Sequence, residues 1–239
     1  MKRVKGSPIY LVPSLITLSS MCFGVYAMVQ SIQGNFYNAG IAIFLSTILD
    51  GLDGRVARMT KTTSLFGAEL DSLADMVAFG VAPALIVFNW GLNYIGVWGW
   101  GASFIYCACA AIRLARFNTS SSGNNKFFLG LPSPSAAALV VGFVFIAGEY
   151  HLHLSIHAIY HLAMGVTIFA AISMITNVKF YGFKEFNFHH RAPFRTLLLF
   201  LVIIALIAYY PEIVVYSFFV IYTLVSYILW LNSIIRGKK

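Results

Sequence analysis

Long apolar segments separated by short polar stretches recur along the whole chain of 239 residues. A helix that crosses a bilayer needs about 20 mainly apolar residues, so a spanning helix is predicted wherever such a segment occurs. Eight segments meet this description: 9–30, 36–57, 70–90, 94–113, 132–149, 155–176, 194–210 and 212–235. The pattern therefore predicts an all-α polytopic membrane protein, a bundle of about eight transmembrane helices that forms a single domain over residues 1–239.

The composition excludes a water-soluble globule. Hydrophobic residues make up 59% of the chain and charged residues only 10%, whereas charged residues make up about 25% of a typical soluble domain. Lys2, Arg3 and Lys5, before the first apolar segment, resemble the start of a signal peptide. Because that segment is long and lacks a clear small-x-small cleavage site, we expect it to remain as the first span.

The basic residues lie on one side of the predicted bundle. With eight spans, all sixteen Lys and Arg residues fall on the same side of the membrane, at residues 2–5, 55–61, 113–126, 179–195 and 236–239. Loops rich in Lys and Arg face the cytoplasm. We therefore predict a protein of the inner or plasma membrane, with both termini and the basic loops in the cytoplasm. Such a face suits anionic lipids and anionic substrates, and no soluble basic domain is predicted that could bind nucleic acid.

Four aspartates interrupt the apolar pattern where the second predicted span ends and the third begins: Asp50, Asp53, Asp71 and Asp75. Carboxylates within a membrane are costly and usually mark functional sites. Spacings of three and four residues keep each pair on one face of its helix, and the short turn 59–66 brings both pairs to the same membrane surface. Four carboxylates in one place need a compensating charge, for which one or two divalent cations with oxygen ligands are the simplest source.

Small residues surround the acidic ones. Gly54 and Ala57 lie one turn further along the aspartate face of the second helix, and Gly67 lies just before the third helix. These positions leave room for a bulky ligand, and Arg58 supplies a cation suited to a phosphate. The alternative is a structural network in which Arg55 and Arg58 neutralise the acids. We disfavour it because buried ion pairs stabilise poorly and two arginines do not require four acids.

Together these residues form the pattern D-x2-D-G-x2-A-R-x8-G-x3-D-x3-D over residues 50–75. The pattern resembles the signature of the CDP-alcohol phosphotransferases, and it matches that signature at every fixed position. The resemblance implies a membrane enzyme that displaces CMP from a CDP-linked lipid or alcohol by means of a second alcohol. It also implies a six-helix core, here followed by extra C-terminal spans, and a homodimer.

The resemblance also implies roles for individual residues. It implies two divalent ions, for which ligands with oxygen alone favour Mg²⁺ or Mn²⁺ over zinc. The implied metal ligands are Asp50, Asp53, Asp71 and Asp75, and Asp75 is also the implied catalytic base. The implied CDP-binding residues are Asp50, Asp53, Gly54, Ala57, Arg58, Gly67 and Asp71.

Three further segments resemble one branch of that family, the CDP-diacylglycerol–serine O-phosphatidyltransferases of bacteria and archaea. They are LDSLADMVAFGVAPA (70–84), RLARFN (113–118) and GLPSPSAAA (130–138). This resemblance implies that CDP-diacylglycerol and L-serine are converted to phosphatidylserine and CMP. One departure occurs in the first span, where Ser14 follows Pro13 although the family usually has Asn at that position.

The carboxylate of the serine substrate needs a cation. Arg113 and Arg116 end the fourth predicted span, and Asn118 lies beside them. Because arginine can grip a carboxylate with two hydrogen bonds, we predict these three residues as serine-binding candidates. The alternative interpretation is that both arginines only anchor the helix end at the cytoplasmic surface.

Two rival functions remain from the sequence. The first keeps the chemistry with another acceptor, such as glycerol 3-phosphate or inositol phosphate, which should require more cations near the site. The second is a divalent-cation transporter, whose acids should lie near the bilayer midplane on several spans. Five of the eight acidic residues instead lie between residues 50 and 75, at one surface, which favours the enzyme.

Overall fold

The computed structural model describes residues 11–119, 127–149, 155–181, 209 and 211–235. Within these residues the chain is a helical bundle with one two-stranded sheet. The helices are α1 (Leu11–Ile32), α2 (Phe36–Met59), α3 (Leu65–Asp75), α4 (Ala82–Trp90), α5 (Val97–Thr119), α6 (Ser133–Glu149), α7 (Ile156–Ile175) and α8 (Pro211–Ile235). A π-helical turn (Met76–Val81) joins α3 to α4, and a 3₁₀ turn (Leu92–Ile95) follows α4.

Five of the described helical segments are long and apolar enough to cross a membrane: Val12–Ile32, Leu65–Trp90, Val97–Thr119, Ile156–Ile175 and Ile213–Ile235. The chain is therefore an all-helical integral membrane protein, as predicted. The expected number of about eight spans is too high for the described residues. Helix α6 has only 17 residues, and polar and charged residues dilute the apolar character of the 24-residue α2. Apart from residue 209, the predicted span 194–210 lies outside the described residues.

Helices α1 and α2 pack along each other, joined by small polar side chains. The hydroxyls of Ser20 and Ser46 lie 2.9 Å apart, and each also donates to the backbone carbonyl of the other residue. Such hydrogen bonds between small residues hold helices together in lipid, where the hydrophobic effect gives no attraction between spans. Gly24 continues this close packing, since a Cβ there would lie 2.7 Å from the Cα of Ala78. The second and third spans are thereby fixed against the first.

The π-helical turn begins directly after Asp75. A π turn holds more residues than an α turn and leaves backbone groups without their regular partners. Tyr106 on α5 satisfies one of them by donating its hydroxyl hydrogen to the carbonyl of Phe79, at 3.0 Å. Tyr106 is fully buried. The turn rotates the side chains of α3 relative to those of α4 and so sets the direction in which Asp75 points.

The small sheet ties the segment before α6 to the segment after α7. Strand β1 (Phe127–Leu129) pairs antiparallel with β2 (Lys179–Tyr181). Gly130 then adopts φ +80°, a conformation that favours glycine, and a Cβ there would collide with the carbonyl oxygen of Met174. Its N–H donates to the carbonyl of Val178 at 2.9 Å. These contacts fix where α6 begins.

The C-terminal helix α8 packs against α6 and β2. Gly142 on α6 makes room for Tyr216, because a Cβ at this glycine would lie 2.6 Å from the tyrosine ring. Nearer the other end of α8, the hydroxyl of Tyr227 lies 2.8 Å from that of Ser173 on α7. The two contacts fix the rotation of α8 about its own axis.

Candidate active site

The carboxyl groups predicted as metal ligands lie together between the C-terminal half of α2 and the C-terminal half of α3. Oxygen atoms of Asp50, Asp53 and Asp71 all lie within 4.8 Å of one another. Asp75 approaches from the next turn of α3, and its carboxyl group lies within hydrogen-bonding distance of that of Asp50. Asp53 is buried, and the other three are partly buried. Two adjacent helices thus present four acidic groups to one small volume.

This donor set fits a divalent cation. One oxygen of Asp71, Oδ1, is buried and has no hydrogen-bond partner among the described residues. Asp50 and Asp75 lie so close together that two charged carboxylates would repel unless a proton or a cation lay between them. Oxygen donors of this kind bind hard cations such as Mg²⁺ and Mn²⁺. The cluster is therefore consistent with divalent-metal binding.

A hydroxyl from the first span holds one of these carboxylates. Thr17 on α1 donates to Oδ2 of Asp53 at 2.7 Å. Thr17 is itself buried. A hydrogen bond to a charged acceptor is stronger than one between neutral groups and fixes the orientation of the carboxylate. Three helices, and not two, therefore position the cluster.

The turn between α2 and α3 is fixed by its own side chains. Ser64 caps α3 by accepting a hydrogen bond from the N–H of Gly67 at 3.0 Å. A Cβ on Gly67 would lie 3.2 Å from the hydroxyl oxygen of that serine, which is tighter than most such contacts. The hydroxyls of Thr60 and Thr62 lie 2.7 Å apart. The start of α3, and with it Asp71, is therefore held in place relative to α2.

A cavity of about 240 Å³ opens beside the cluster, between α1, α2, the turn and α3. Its walls include six of the seven residues predicted to bind CDP: Asp53, Gly54, Ala57, Arg58, Gly67 and Asp71. The seventh, Asp50, lies in the carboxyl cluster but does not line the cavity. The structure thus brings the predicted CDP-binding residues together on one surface, and their roles stay predictions.

Arg113 extends from α5 towards the aspartates. Its guanidinium lies close enough to Asp50 and Asp75 to interact with both carboxyl groups electrostatically. Its Nη1 donates to the hydroxyl of Ser133, the first residue of α6, at 2.9 Å. Its Nε is buried without a hydrogen-bond partner among the described residues. Ser133 therefore fixes Nη1 of the guanidinium, while the N–H of Nε has no acceptor among the described residues.

The other two serine-binding candidates have different neighbours. Arg116 donates to the side-chain oxygen of Asn177 at 2.7 Å, just beyond the end of α7. Asn118 donates its amide hydrogen to the hydroxyl of Ser72 on α3 at 3.0 Å. Both residues are exposed. The structure therefore brings Arg113 to the carboxyl cluster and directs Arg116 to the end of α7.

Residues 10–172 match the sequence profile of a family described as CDP-alcohol phosphatidyltransferase. The chain belongs to this family. It is 37% identical over 236 residues to the CDP-diacylglycerol–serine O-phosphatidyltransferase of Helicobacter pylori strain J99, an alignment that covers 98% of each chain. It is 48% identical over 113 residues to the enzyme of the same name from Methanocaldococcus jannaschii, with 47% of this chain and 53% of that one covered. The resemblance predicted from the motif is confirmed.

Several residues that surround the site in this CDP-alcohol phosphatidyltransferase were not predicted from the sequence. They are Thr17 of α1, the turn residues Thr62, Thr63 and Ser64, and Ser133 of α6. Pro13 and Ser14, where the chain departs from the family pattern, also line the cavity. The turn carries a visible signal, because three consecutive hydroxyl residues follow the basic end of α2. Thr17 carries none, since its place beside Asp53 depends on how α1 packs against α2.

Proposed function

We propose that this protein is a CDP-diacylglycerol–serine O-phosphatidyltransferase, which transfers the phosphatidyl group of CDP-diacylglycerol to the hydroxyl of L-serine and releases CMP. The observation that carries the proposal is the group of three carboxylates within 4.8 Å beside the cavity. The near full-length relative from H. pylori, which bears the name of this enzyme, supports the choice of serine as acceptor.

Asp50, Asp53, Asp71 and Asp75 are proposed to hold two Mg²⁺ or Mn²⁺ ions. When bound, such ions would neutralise charge on the pyrophosphate and polarise the phosphorus that the acceptor attacks. Oδ1 of Asp71 supports this assignment. It is buried and has no partner within the described part of the chain, and such a carboxylate oxygen is costly unless a cation binds it.

The cavity residues are proposed to bind the CDP moiety. Gly54 has no side chain and Ala57 only a methyl group, so a nucleotide can approach the backbone of α2 closely. Arg58 lies at the rim, where its guanidinium can pair with a phosphate oxygen. Gly67 leaves space at the start of α3. Asp71 and Asp53 connect this cavity with the carboxyl cluster.

Asp75 is proposed as the general base that accepts the proton of the serine hydroxyl. Its carboxyl group contacts Asp50 but is not one of the three whose oxygens form the tight group. It also lies on the side of the cluster that faces Arg113. A base must lie within hydrogen-bonding distance of the proton that it removes, and an acceptor held by Arg113 would satisfy this condition.

Arg113 is proposed to bind the carboxylate of serine. Its Nε, which has no hydrogen-bond partner among the described residues, and its closeness to Asp75 support this role. With its carboxylate bound to the guanidinium of Arg113, the serine substrate would have its hydroxyl, and not its carboxylate, next to Asp75. The roles of Arg116 and Asn118 stay predictions, and Asn177 and Ser72 are their hydrogen-bond partners here.

We further propose that α2 and α6 cross the membrane with the five long apolar helices, and that the aspartate end of α2 faces the cytoplasm. The basic residues near that end, at 55–61 and 113–116, support this orientation. The contact between α8 and α6 supports a single domain. The homodimer stays a prediction.

The test is an assay of CMP release by the purified protein with CDP-diacylglycerol and a panel of alcohols. We expect serine to be the best acceptor, and EDTA to abolish the release until Mg²⁺ or Mn²⁺ is restored. If glycerol 3-phosphate or inositol phosphate is the better acceptor, the choice of serine is wrong but the proposed reaction, displacement of CMP by an alcohol, stands. Absence of CMP release with every alcohol, together with metal uptake into vesicles, would instead establish transport.

A further inference from the structure

The last helix of the chain, α8, reaches the acceptor side of the candidate site. Residues 10–172 match the family profile, so α8 (Pro211–Ile235) lies outside the matched segment. Within the described residues, α8 is nevertheless packed against α6, whose first residue, Ser133, binds Arg113 at 2.9 Å. Any side chain on the inner face of α8 near that end of α6 can therefore contribute to the surroundings of Arg113.

Tyr222 occupies this position. Its hydroxyl interacts electrostatically with the guanidinium of Arg113. Tyr216, which packs on Gly142, lies six residues before it, so Tyr222 lies about 9 Å further along α8 towards the aspartate end of the bundle. Packing thus places the tyrosine on the inner face of α8, at the level of Arg113.

The ring of Tyr222 is fixed by the small sheet. Its centroid lies 5.8 Å from that of Phe180, a fully buried residue of β2. The ring of Tyr227 also packs on Phe180, with centroids 6.1 Å apart, and its hydroxyl lies 2.8 Å from that of Ser173. Neighbouring residues of α8, Thr223 and Ser226, are also buried. A held ring fixes the position of its hydroxyl relative to the guanidinium of Arg113, with which it interacts electrostatically.

A tyrosine suits this position chemically. Its oxygen can accept a hydrogen bond from a guanidinium without neutralising the positive charge. A carboxylate in the same place would form an ion pair and compete with the carboxylate of the acceptor. Arg113 already faces Asp50 and Asp75 on one side and Ser133 on another. A neutral partner from α8 would leave part of its charge for the substrate.

We infer that Tyr222 is a positioning residue for Arg113, so that helix α8 helps to select an acceptor that carries a carboxylate. This inference rests on the proposed function and deepens it, because it assigns part of the serine site to a helix outside the family-matched segment. Tyr222 acts through Arg113 and not on CDP-diacylglycerol, whose proposed cavity lies between α1, α2 and α3.

The test compares Tyr222→Phe with Tyr227→Phe, which removes a hydroxyl from the same helix but leaves Arg113 untouched. For Tyr222→Phe we expect the KM for serine to rise about tenfold, because the guanidinium of Arg113 loses the polar group that interacts with it from α8. The KM for CDP-diacylglycerol should stay within about twofold. Serine should also protect this variant less against thermal unfolding. Tyr227→Phe should lower the unfolding temperature but leave the KM for serine unchanged.

A double variant separates this inference from the proposed function. Because Tyr222 acts through Arg113, adding Tyr222→Phe to Arg113→Lys should raise the KM for serine no further. The inference is overturned if Tyr222→Phe leaves the KM for serine unchanged, or raises both KM values equally. If the wild-type protein does not use serine, the proposed function itself fails. If Tyr222→Phe does not fold, the KM values for serine and CDP-diacylglycerol are measured for Tyr222→Met and Tyr222→Leu instead, with the same expected results.

Discussion

Thr17 and Asp53 join the first span to the carboxyl cluster through a hydrogen bond of 2.7 Å. Both residues are buried, with 5% and 4% of their surface exposed. The bond engages Oδ2 and so fixes how the carboxylate of Asp53 faces the cluster. Losing a residue that hydrogen-bonds to a metal ligand typically costs about 10- to 100-fold in metal affinity or activity. The first span therefore helps to orient a carboxylate of the cluster although it carries no acidic residue.

Replacing Thr17 by valine tests this relationship. Valine keeps the shape of the side chain but cannot donate to Asp53. We expect the concentration of Mg²⁺ or Mn²⁺ needed for half-maximal activity to rise about tenfold or more. Thr47→Val is the matched control, because the hydroxyl of Thr47 bonds the carbonyl of Ile43 within α2. An equal shift of the metal requirement in both variants would show that the effect of Thr17 is not specific to the cluster.

Asp75→Asn should separate binding from turnover. The change keeps the size of the side chain and removes its ability to accept a proton. We expect kcat to fall about a hundredfold to ten-thousandfold, as is usual when a general base is lost, while CDP-diacylglycerol still binds. Glu69→Gln on the same helix is the control, because Glu69 is exposed and should be dispensable. Turnover near that of the wild type in Asp75→Asn would remove this residue from the role of base.

Much of the fold follows from apolar length alone. The predicted spans 36–57 and 155–176 correspond closely to the helices Phe36–Met59 and Ile156–Ile175. Runs of this length have few alternatives to a helix in lipid, because the backbone must satisfy its own hydrogen bonds there. The π turn was not predicted, since its partner Tyr106, which donates to the carbonyl of Phe79, lies 27 residues away in sequence.

The candidate site also contains residues that could be predicted from the sequence and residues that could not. The aspartates could be predicted because helical spacing and one short turn determine where they meet. Thr17 and Tyr222 could not, because each reaches the site only through the packing of one helix on another. Arg113 and Arg116 look equivalent in sequence. The structure distinguishes them, since Arg116 finds an acceptor on Asn177 at the end of α7.

Gly67→Ala should disturb both the cavity and the cap of α3. The new methyl group would lie 3.2 Å from the hydroxyl oxygen of Ser64 and inside the proposed CDP cavity. We expect a higher KM for CDP-diacylglycerol and an unfolding free energy lower by about 1 kcal/mol, the usual magnitude for a damaged N-cap. Gly51→Ala on α2 is the control, because a Cβ there meets no atom within 4 Å. If the KM for CDP-diacylglycerol does not change in Gly67→Ala, the cavity is not the nucleotide site.

Tyr106→Phe should weaken the π-helical turn and, through it, the placement of Asp75. Phenylalanine fills the same space but leaves the carbonyl of Phe79 buried without its donor, which costs about 1–3 kcal/mol. We expect a lower unfolding temperature in detergent and a lower kcat, with the KM for CDP-diacylglycerol nearly unchanged. Tyr94→Phe is the control, since Tyr94 is 71% exposed. A variant that loses stability but keeps its kcat would mean that the turn supports the fold alone, because a base displaced from its position must slow proton transfer.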